Sequence, residues 1–315
     1  MNATDRLIPE PDLLPLLSEL VAVDRTAVAP EQQRLEYMEF VDMFRGQEPT
    51  FPGVIRDEII AADPSGRPVP VRRYLPTHQS NPGHVLVYLH GGGWVLGSLE
   101  THDRFTRAIA ERLALEVISV DYRLAPENPF PAAFDDCACV VAHAAKDATW
   151  LAVAGDSAGG NLAAAISAHC AAAGSPVDAQ VLIYPGLADH TSDDDQSRDG
   201  FGLDRAEVAY FWSCYCGSQQ VDARLAPLLA PDPIPAPPTL ISTAGCDPLE
   251  RDGVEYAQRL IGAGVPTTYL PFPGLIHGWL DLAEQVPSSG HARDLLIEAI
   301  GQLRQRSSAA PAVSE

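Results

Sequence analysis

The chain has 315 residues, 46% of them apolar, and a formal net charge of −21 at pH 7. That length and apolar share suit one or two globular domains with a substantial core and exclude a disordered or fibrous chain. The acidic balance argues against nucleic acid and anionic membranes, which need basic patches.

No basic region precedes a continuous apolar stretch at the start of the chain. The run from Leu13 to Val23 is too short to span a bilayer and carries Glu19, so no membrane insertion and a cytoplasmic location are expected. Residues 1 to about 50 read as helical, with Leu13, Leu14, Leu16, Leu17 and Leu20 on one stripe and Leu35, Met38, Val41 and Met43 on another. Strands follow at about 54–62, 69–75, 84–90, 115–121, 150–155, 179–184, 239–244 and 267–272. The first two, separated by Asp63-Pro64-Ser65-Gly66, read as an antiparallel hairpin. From the third onward, strands alternate with helical segments such as 101–113, 131–146, 158–173 and 250–263. This alternation predicts an α/β fold with a mainly parallel eight-stranded sheet covered by helices on both faces.

One connection breaks the rhythm. Residues 186–236 join two strands through far more chain than a crossover needs. They contain a polar stretch with Asp193-Asp194-Asp195, which lacks a calcium-loop pattern and reads as a solvated hinge. A helix-like segment from Arg205 to Cys216 and a proline-rich return, Pro227 to Pro238, come next. A long insertion over the catalytic edge of a sheet is usually a lid or a functional loop. The cysteine pairs Cys137/Cys139 and Cys214/Cys216 are C-x-C, not the C-x-x-C of zinc sites. Two residues apart on a helix point to nearly opposite faces, so buried reduced thiols are expected.

The chemistry is concentrated at Gly155-Asp156-Ser157-Ala158-Gly159. An apolar strand, Trp150 to Ala154, leads in, and a small-residue helix leads out. A serine at such an apex sits in a strained backbone with its hydroxyl exposed above the sheet. The hydroxyl needs a histidine to take its proton and a carboxylate to orient that histidine. In this kind of fold they follow in the order Ser, Asp or Glu, His. Asp247 stands at the end of the strand Pro238 to Ala244, and His277 follows the strand Thr267 to Phe272. Glu250 and Asp252 fall in the next helix, and Asp189 to Asp195 follow a different strand. His78, His102, His143, His169, His190 and His291 read as structural or solvated. A third element, His90-Gly91-Gly92-Gly93-Trp94, closes another strand. Its glycines let backbone N–H groups turn toward a negative charge. A dinucleotide loop would need a glycine where Leu96 stands.

These segments together resemble the bacterial hormone-sensitive-lipase-like (family IV) carboxylesterases of the α/β-hydrolase superfamily. The matching stretches are His90 to Trp94, Asp121 to Glu127, Phe130 to Ala133, Gly155 to Asn161, Tyr184-Pro185, Asp247 to Leu249 and His277-Gly278. They run in order through nearly the whole chain. Two details depart from the family pattern. Glu250-Arg251-Asp252-Gly253 stands where Arg-Asp-Glu-Gly is usual, and Trp279 stands where Phe is common.

The resemblance implies Ser157 as nucleophile, Asp247 as acid, His277 as base, and an oxyanion hole of the Gly92, Gly93 and Ala158 N–H groups. It implies that His90, Arg123 and Glu127 order the loops beneath the site and that Asp156 bonds locally at the elbow. It also implies a helical cap of residues 1–50 and 186–225 on a catalytic domain of 51–185 and 226–315. Candidate pocket walls are Trp94, Leu187, Phe211, Trp212 and Ile276, and helical geometry predicts that only one of the neighbours Phe211 and Trp212 points inward. The expected activity is hydrolysis of short to medium acyl esters through an acyl-enzyme, with a small-molecule ester as partner and no cofactor or metal. The sequence is also compatible with a homodimer. Amide or lactone hydrolysis, elimination, or ligand reception without catalysis are the alternative functions.

Overall fold

A computed structural model describes residues 7–20, 27–47, 50–61, 67–190 and 197–308. The expected hairpin turn Asp63 to Gly66 and the Asp193 to Asp195 run lie outside the described residues. Eight strands form one sheet: β1 (Gly53–Ala61), β2 (Pro68–Pro76), β3 (His84–Leu89), β4 (Glu116–Val120), β5 (Trp150–Asp156), β6 (Ala179–Ile183), β7 (Thr239–Cys246) and β8 (Thr267–Ile276). Their spatial order is β1-β2-β4-β3-β5-β6-β7-β8. β2 runs antiparallel to both β1 and β4, and the remaining pairs are parallel. This is the α/β-hydrolase architecture.

The alternation along each strand splits the interior into two cores. Val85, Val87 and Leu89 of β3 join Leu151 and Val153 of β5 on one face. There they meet Val140 and Val141 of α4 (Ala132–Ala144), Leu162 and Ile166 of α5 (Ala158–Ala172), and Tyr256 and Leu260 of α7 (Glu250–Gly262). Leu86 and Tyr88 point the other way, with Ala152 and Ala154. They meet Phe105 and Ile109 of α3 (Asp103–Leu113) and Leu296, Ile297 and Ile300 of α8 (Pro287–Ser308). A strand buried on both faces reads as a continuous apolar run because both side-chain sets need apolar partners.

Among the described residues the remaining α-helices are α1 (Leu14–Leu20), α2 (Pro30–Phe44) and α6 (Arg205–Cys216). Of the expected stripe on α2, Val41 is buried, but Leu35 and Met43 are corrected here. Leu35 and Met43 are 60% and 65% exposed, and the inward face carries Gln33, Tyr37, Phe40 and Val41. Apolar spacing alone misjudged this helix because its inner face is partly polar. Gln33 is buried and its amide donates to the Tyr210 hydroxyl of α6 at 2.9 Å. Arg34 anchors α2 to the sheet side, donating to the Val95 and Ala125 carbonyls and, through two nitrogens, to Glu127. A planar guanidinium suits such a multipoint contact. No helix among the described residues is long and apolar enough to cross a membrane.

Candidate active site

The turn between β5 and α5 is forced by close approach. Added side-chain carbons at Gly155 and Gly159 would run into the carbonyls of Gly159 and Leu89, so only glycine lets strand and helix come this near. Ser157 at the apex has φ 52° and ψ −117°. A non-glycine residue held there costs on the order of 1–3 kcal/mol and needs a surrounding structure that imposes it. Its N–H donates to the Ile183 carbonyl and its C=O accepts from Asn161. The side chain is thereby aimed at the cavity above the sheet.

His277 follows β8, and its Nε2 lies 2.8 Å from Ser157 Oγ. Its Nδ1 lies 2.8 Å from Asp247 Oδ2. With Nδ1–H donating to the carboxylate, Nε2 is left to accept from the hydroxyl. The pairing of β7 with β8 shifts register between Ala244 and Cys246, just ahead of Asp247. Asp247 is fully buried, and its Oδ1 accepts the Leu249 N–H at 2.8 Å. Burial pushes the His277 ring toward the neutral form. The charge and hydrogen bond of Asp247 more than offset this, and the pKa ends above its ordinary value. The Tyr184 ring lies edge-on to the imidazole at 4.9 Å and helps fix its plane. Such an array can take the hydroxyl proton and hold the resulting imidazolium.

A second His–Asp pair lies beneath the glycine loop. Asp156 Oδ1 accepts from Tyr88 Oη at 2.6 Å and from the Gly91 N–H at 3.0 Å. Its Oδ2 lies 3.3 Å from His102 Nε2. Burial pushes Asp156 up, but His102 pulls it below its ordinary value. Burial pushes His102 down, and Asp156 raises it above its own. Thr101 Oγ1 closes the far side of His102 at 2.8 Å. The sequence reading treated His102 as structural or solvated; it is buried, and its partner is the residue beside Ser157. His90 is fully buried and stacked on Tyr122 at 4.2 Å. Burial and the charge of His102 push its pKa down to about 3, so its ring is neutral at working pH. Arg123 holds Asp136 through Nε and Nη2, both at 2.7 Å, fixing the loop onto α4.

Ser157, His277, Gly92, Gly93 and Ala158 all line one cavity of about 1000 Å³, part of it open to solvent. Gly92 and Gly93 have φ of 111° and 60°. Among the described residues neither N–H has an acceptor within the chain. Ala158 is the first residue of α5, so its N–H is one of the unpaired donors at a helix N-terminus.

Of the five wall candidates, Trp94, Phe211 and Ile276 line this cavity. Leu187 and Trp212 do not, and their assignment is corrected. Leu187 is fully buried, with its N–H tied to Asp252 Oδ2 at 2.6 Å, and its side chain turns into the core. Trp212 packs edge-on behind Trp94 at 5.7 Å, roughly a hundred degrees round α6 from Phe211. Residues outside the predicted site also line the cavity, among them Tyr37, Phe40, Glu207 and Asp281, together with Tyr184 from a matching stretch and His190, which the sequence reading took as structural or solvated. They sit on five separate segments, so no local pattern groups them. Among the described residues no cluster of His, Cys, Asp and Glu is arranged to hold a metal ion.

Comparison with known proteins agrees with this architecture. The alpha/beta hydrolase fold family matches residues 86–281. Carboxylesterase NlhH of Mycobacterium tuberculosis is 38% identical over 239 residues, 71% of this chain and 75% of its own. An ethyl acetate hydrolase of Pseudomonas putida is 35% identical over 253 residues, 75% of this chain and 79% of its own. The structure of a hyperthermophilic esterase from the archaeon Pyrobaculum calidifontis superposes with a TM-score of 0.85 at 31% identity, covering 96% of this chain and all of the other. With its elbow, glycine loop and ordered Ser, Asp and His, the chain belongs to the hormone-sensitive-lipase-like carboxylesterases of the α/β-hydrolase superfamily.

Proposed function

We propose that this carboxylic ester hydrolase works through Ser157, His277 and Asp247 by an acyl-enzyme and acts on short to medium acyl esters. The reading is carried by the continuous hydrogen-bonded line from Asp247 through His277 to Ser157, with both contacts at 2.8 Å, opening into the cavity. Ser157 Oγ attacks the ester carbonyl carbon as its proton passes to His277 Nε2. The carbonyl oxygen becomes an oxyanion facing the N–H groups of Gly92, Gly93 and Ala158. The imidazolium then gives its proton to the alkoxy oxygen, the C–O bond breaks, and the alcohol leaves. Water attacks the acyl carbon by the same route, releasing the acid and restoring the serine.

α1, α2 and the 186–225 segment act as the cap. Leu20, Tyr37 and Phe40 from the first two, and Leu203, Val208 and Phe211 from the third, supply the bulky walls that limit acyl length. Fluorophosphonate labelling mapped by mass spectrometry should give an adduct at Ser157. Labelling elsewhere, or none on active protein, would refute the nucleophile assignment. Aryl esters of increasing acyl length should be cleaved with a short to medium optimum, and matching aryl amides far more slowly.

A further inference from the structure

Three carboxylates, Asp156, Glu207 and Asp281, and no lysine or arginine, line the catalytic cavity among the described residues. Two of the three are committed to the fold. Asp156 holds the glycine loop, Tyr88 and His102. Glu207 is the third residue of α6 and completes its capping box, accepting the Asp204 N–H at 3.2 Å. Asp281 differs. It lies on the short 3-10 turn Trp279–Leu282, four residues beyond His277, and accepts one hydrogen bond, from Tyr37 Oη at 2.9 Å to Oδ2. Among the described residues no arginine or lysine pairs with it.

The surroundings of Asp281 account for its charge. Burial raises its pKa from the ordinary carboxylate value to about 6. The negative charge of Asp156 adds to this, while His102, the Tyr37 hydroxyl and His277 oppose it. Its other side borders a smaller cavity that includes Arg45, Arg104, His102, Glu284 and Arg293. Those arginines are engaged elsewhere: Arg45 with Asp42 and the Glu100 carbonyl, Arg104 with the Gln47 carbonyl, and Arg293 with Glu284 and Asp294. The cavity therefore holds a carboxylate that no arginine or lysine among the described residues pairs with, and the main favourable charge acting on it, that of His102, is committed to Asp156. A charge drawn from water without a counter-ion is costly, and a ligand that brings one recovers that cost.

We propose that Asp281 is a specificity-determining residue that receives an ammonium or other strong hydrogen-bond donor on the ester substrate, and that esters bearing a free carboxylate are disfavoured. The assignment rests on the ester-hydrolase reading of the same cavity. It follows from the pairing of Asp281 with a hydroxyl and no cation, on the loop that also carries His277. A site built around a polar group rejects analogues that lack the matching group far more strongly than an apolar wall rejects a misfit.

The test compares two esters of nearly the same shape, 2-(dimethylamino)ethyl acetate as its ammonium form and 3-methylbutyl acetate, on the full chain. The readout is the ratio of their kcat/KM within each protein, so a general loss of activity cancels. A role confined to supporting His277 would leave the ratio unmoved. At about pH 7.5 the wild-type ratio should favour the ammonium ester by on the order of tenfold. Asp281→Asn should bring it near one. In the wild type, the preference should also fade as pH drops through about 6, where the carboxylate takes up a proton. That second measurement needs no variant to fold. A wild-type ratio of one or less, or a ratio unchanged in Asp281→Asn, overturns the proposal while leaving the hydrolase reading intact. Should neither ester turn over, their inhibition of 4-nitrophenyl acetate hydrolysis is compared, and equal inhibition overturns it too. Failure to hydrolyse 4-nitrophenyl acetate at all overturns the hydrolase reading and this assignment with it.

Discussion

Two buried His–Asp pairs flank Ser157, and their chemistry differs although their composition is the same. In His277–Asp247 the ring nitrogen away from the carboxylate meets the serine hydroxyl, and 13% of the histidine side chain remains open to the cavity. In His102–Asp156 the far nitrogen meets Thr101, and only 2% of the ring is open. Both histidines have raised pKa values for the same reason, a carboxylate outweighing burial. On the proposed mechanism, a raised histidine pKa does not itself mark a catalytic base. The group on the opposite nitrogen decides whether the pair can move a proton to substrate or only holds its neighbours in place.

The sharpest way to break this comparison is to disable each pair in turn. Ser157→Ala should leave only the activity that binding and the oxyanion hole supply. Asp247→Asn should cost on the order of 10⁴ in kcat by favouring the wrong histidine tautomer. Asp156→Asn should cost far less, about tenfold to a hundredfold, through a looser glycine loop. If Asp156→Asn matched Asp247→Asn in stopped assays at saturating ester, the division of labour would be wrong.

The same substitution should cost stability. Breaking a buried charged pair removes about 3 kcal/mol, because the remaining charge is left without a partner. The pH window follows from the two shifts. The lowered pKa of Asp156 contributes stability above the ordinary carboxylate value and loses it as pH falls through the folded value. The raised pKa of His102 contributes below the ordinary histidine value and loses it as pH rises through the folded value. Both act together between roughly pH 4 and 6.5. Urea melts of wild type and Asp156→Asn should differ most in that window, and the difference should narrow on both sides, as pH falls through the folded value of Asp156 and as it rises through that of His102.

The His277 pair should appear in kinetics. The base must be neutral, so kcat/KM for a neutral ester should rise with pH and level off. Its midpoint should lie above the ordinary histidine value, because the folded pKa is raised. A profile flat from acid to neutral pH would remove His277 as the base. Asp156→Asn should shift this midpoint little, since Asp156 is a minor influence on His277 beside Asp247.

The smallest expected effect lies in the wall. Phe211→Ala should move the optimum toward longer acyl chains by a few-fold in relative rate, because Phe211 lines the cavity. Trp212→Ala should act less on chain length and more on stability, since that ring supports Trp94 from behind. Equal shifts in both variants would contradict the placement of α6.

The sequence by itself determined what is local and covalent in reach. The β5 elbow around Ser157 was legible because strand, glycine, apex and helix are consecutive, and so were the apolar strands ahead of Asp247 and His277, although β7 and β8 continue to Cys246 and Ile276, beyond the expected ends at Ala244 and Phe272. The continuous apolar strands announced a sheet buried on both faces, since each side-chain set needs a core of its own. Tertiary structure decided what depends on groups far apart in the chain. Tyr37 meets Asp281 across 244 positions, and His102 meets Asp156 across 54. It turned Leu187 into the core by pinning its N–H on Asp252, and it faced Phe211, not Trp212, toward the cavity. It also turned Leu35 and Met43 of the expected α2 stripe to solvent and set Gln33 with Val41 on the buried face, where Tyr210 and the Val28 carbonyl accept the Gln33 amide hydrogens. Periodicity records which residues are apolar. A buried polar contact depends on which partner the folded chain brings within hydrogen-bond distance.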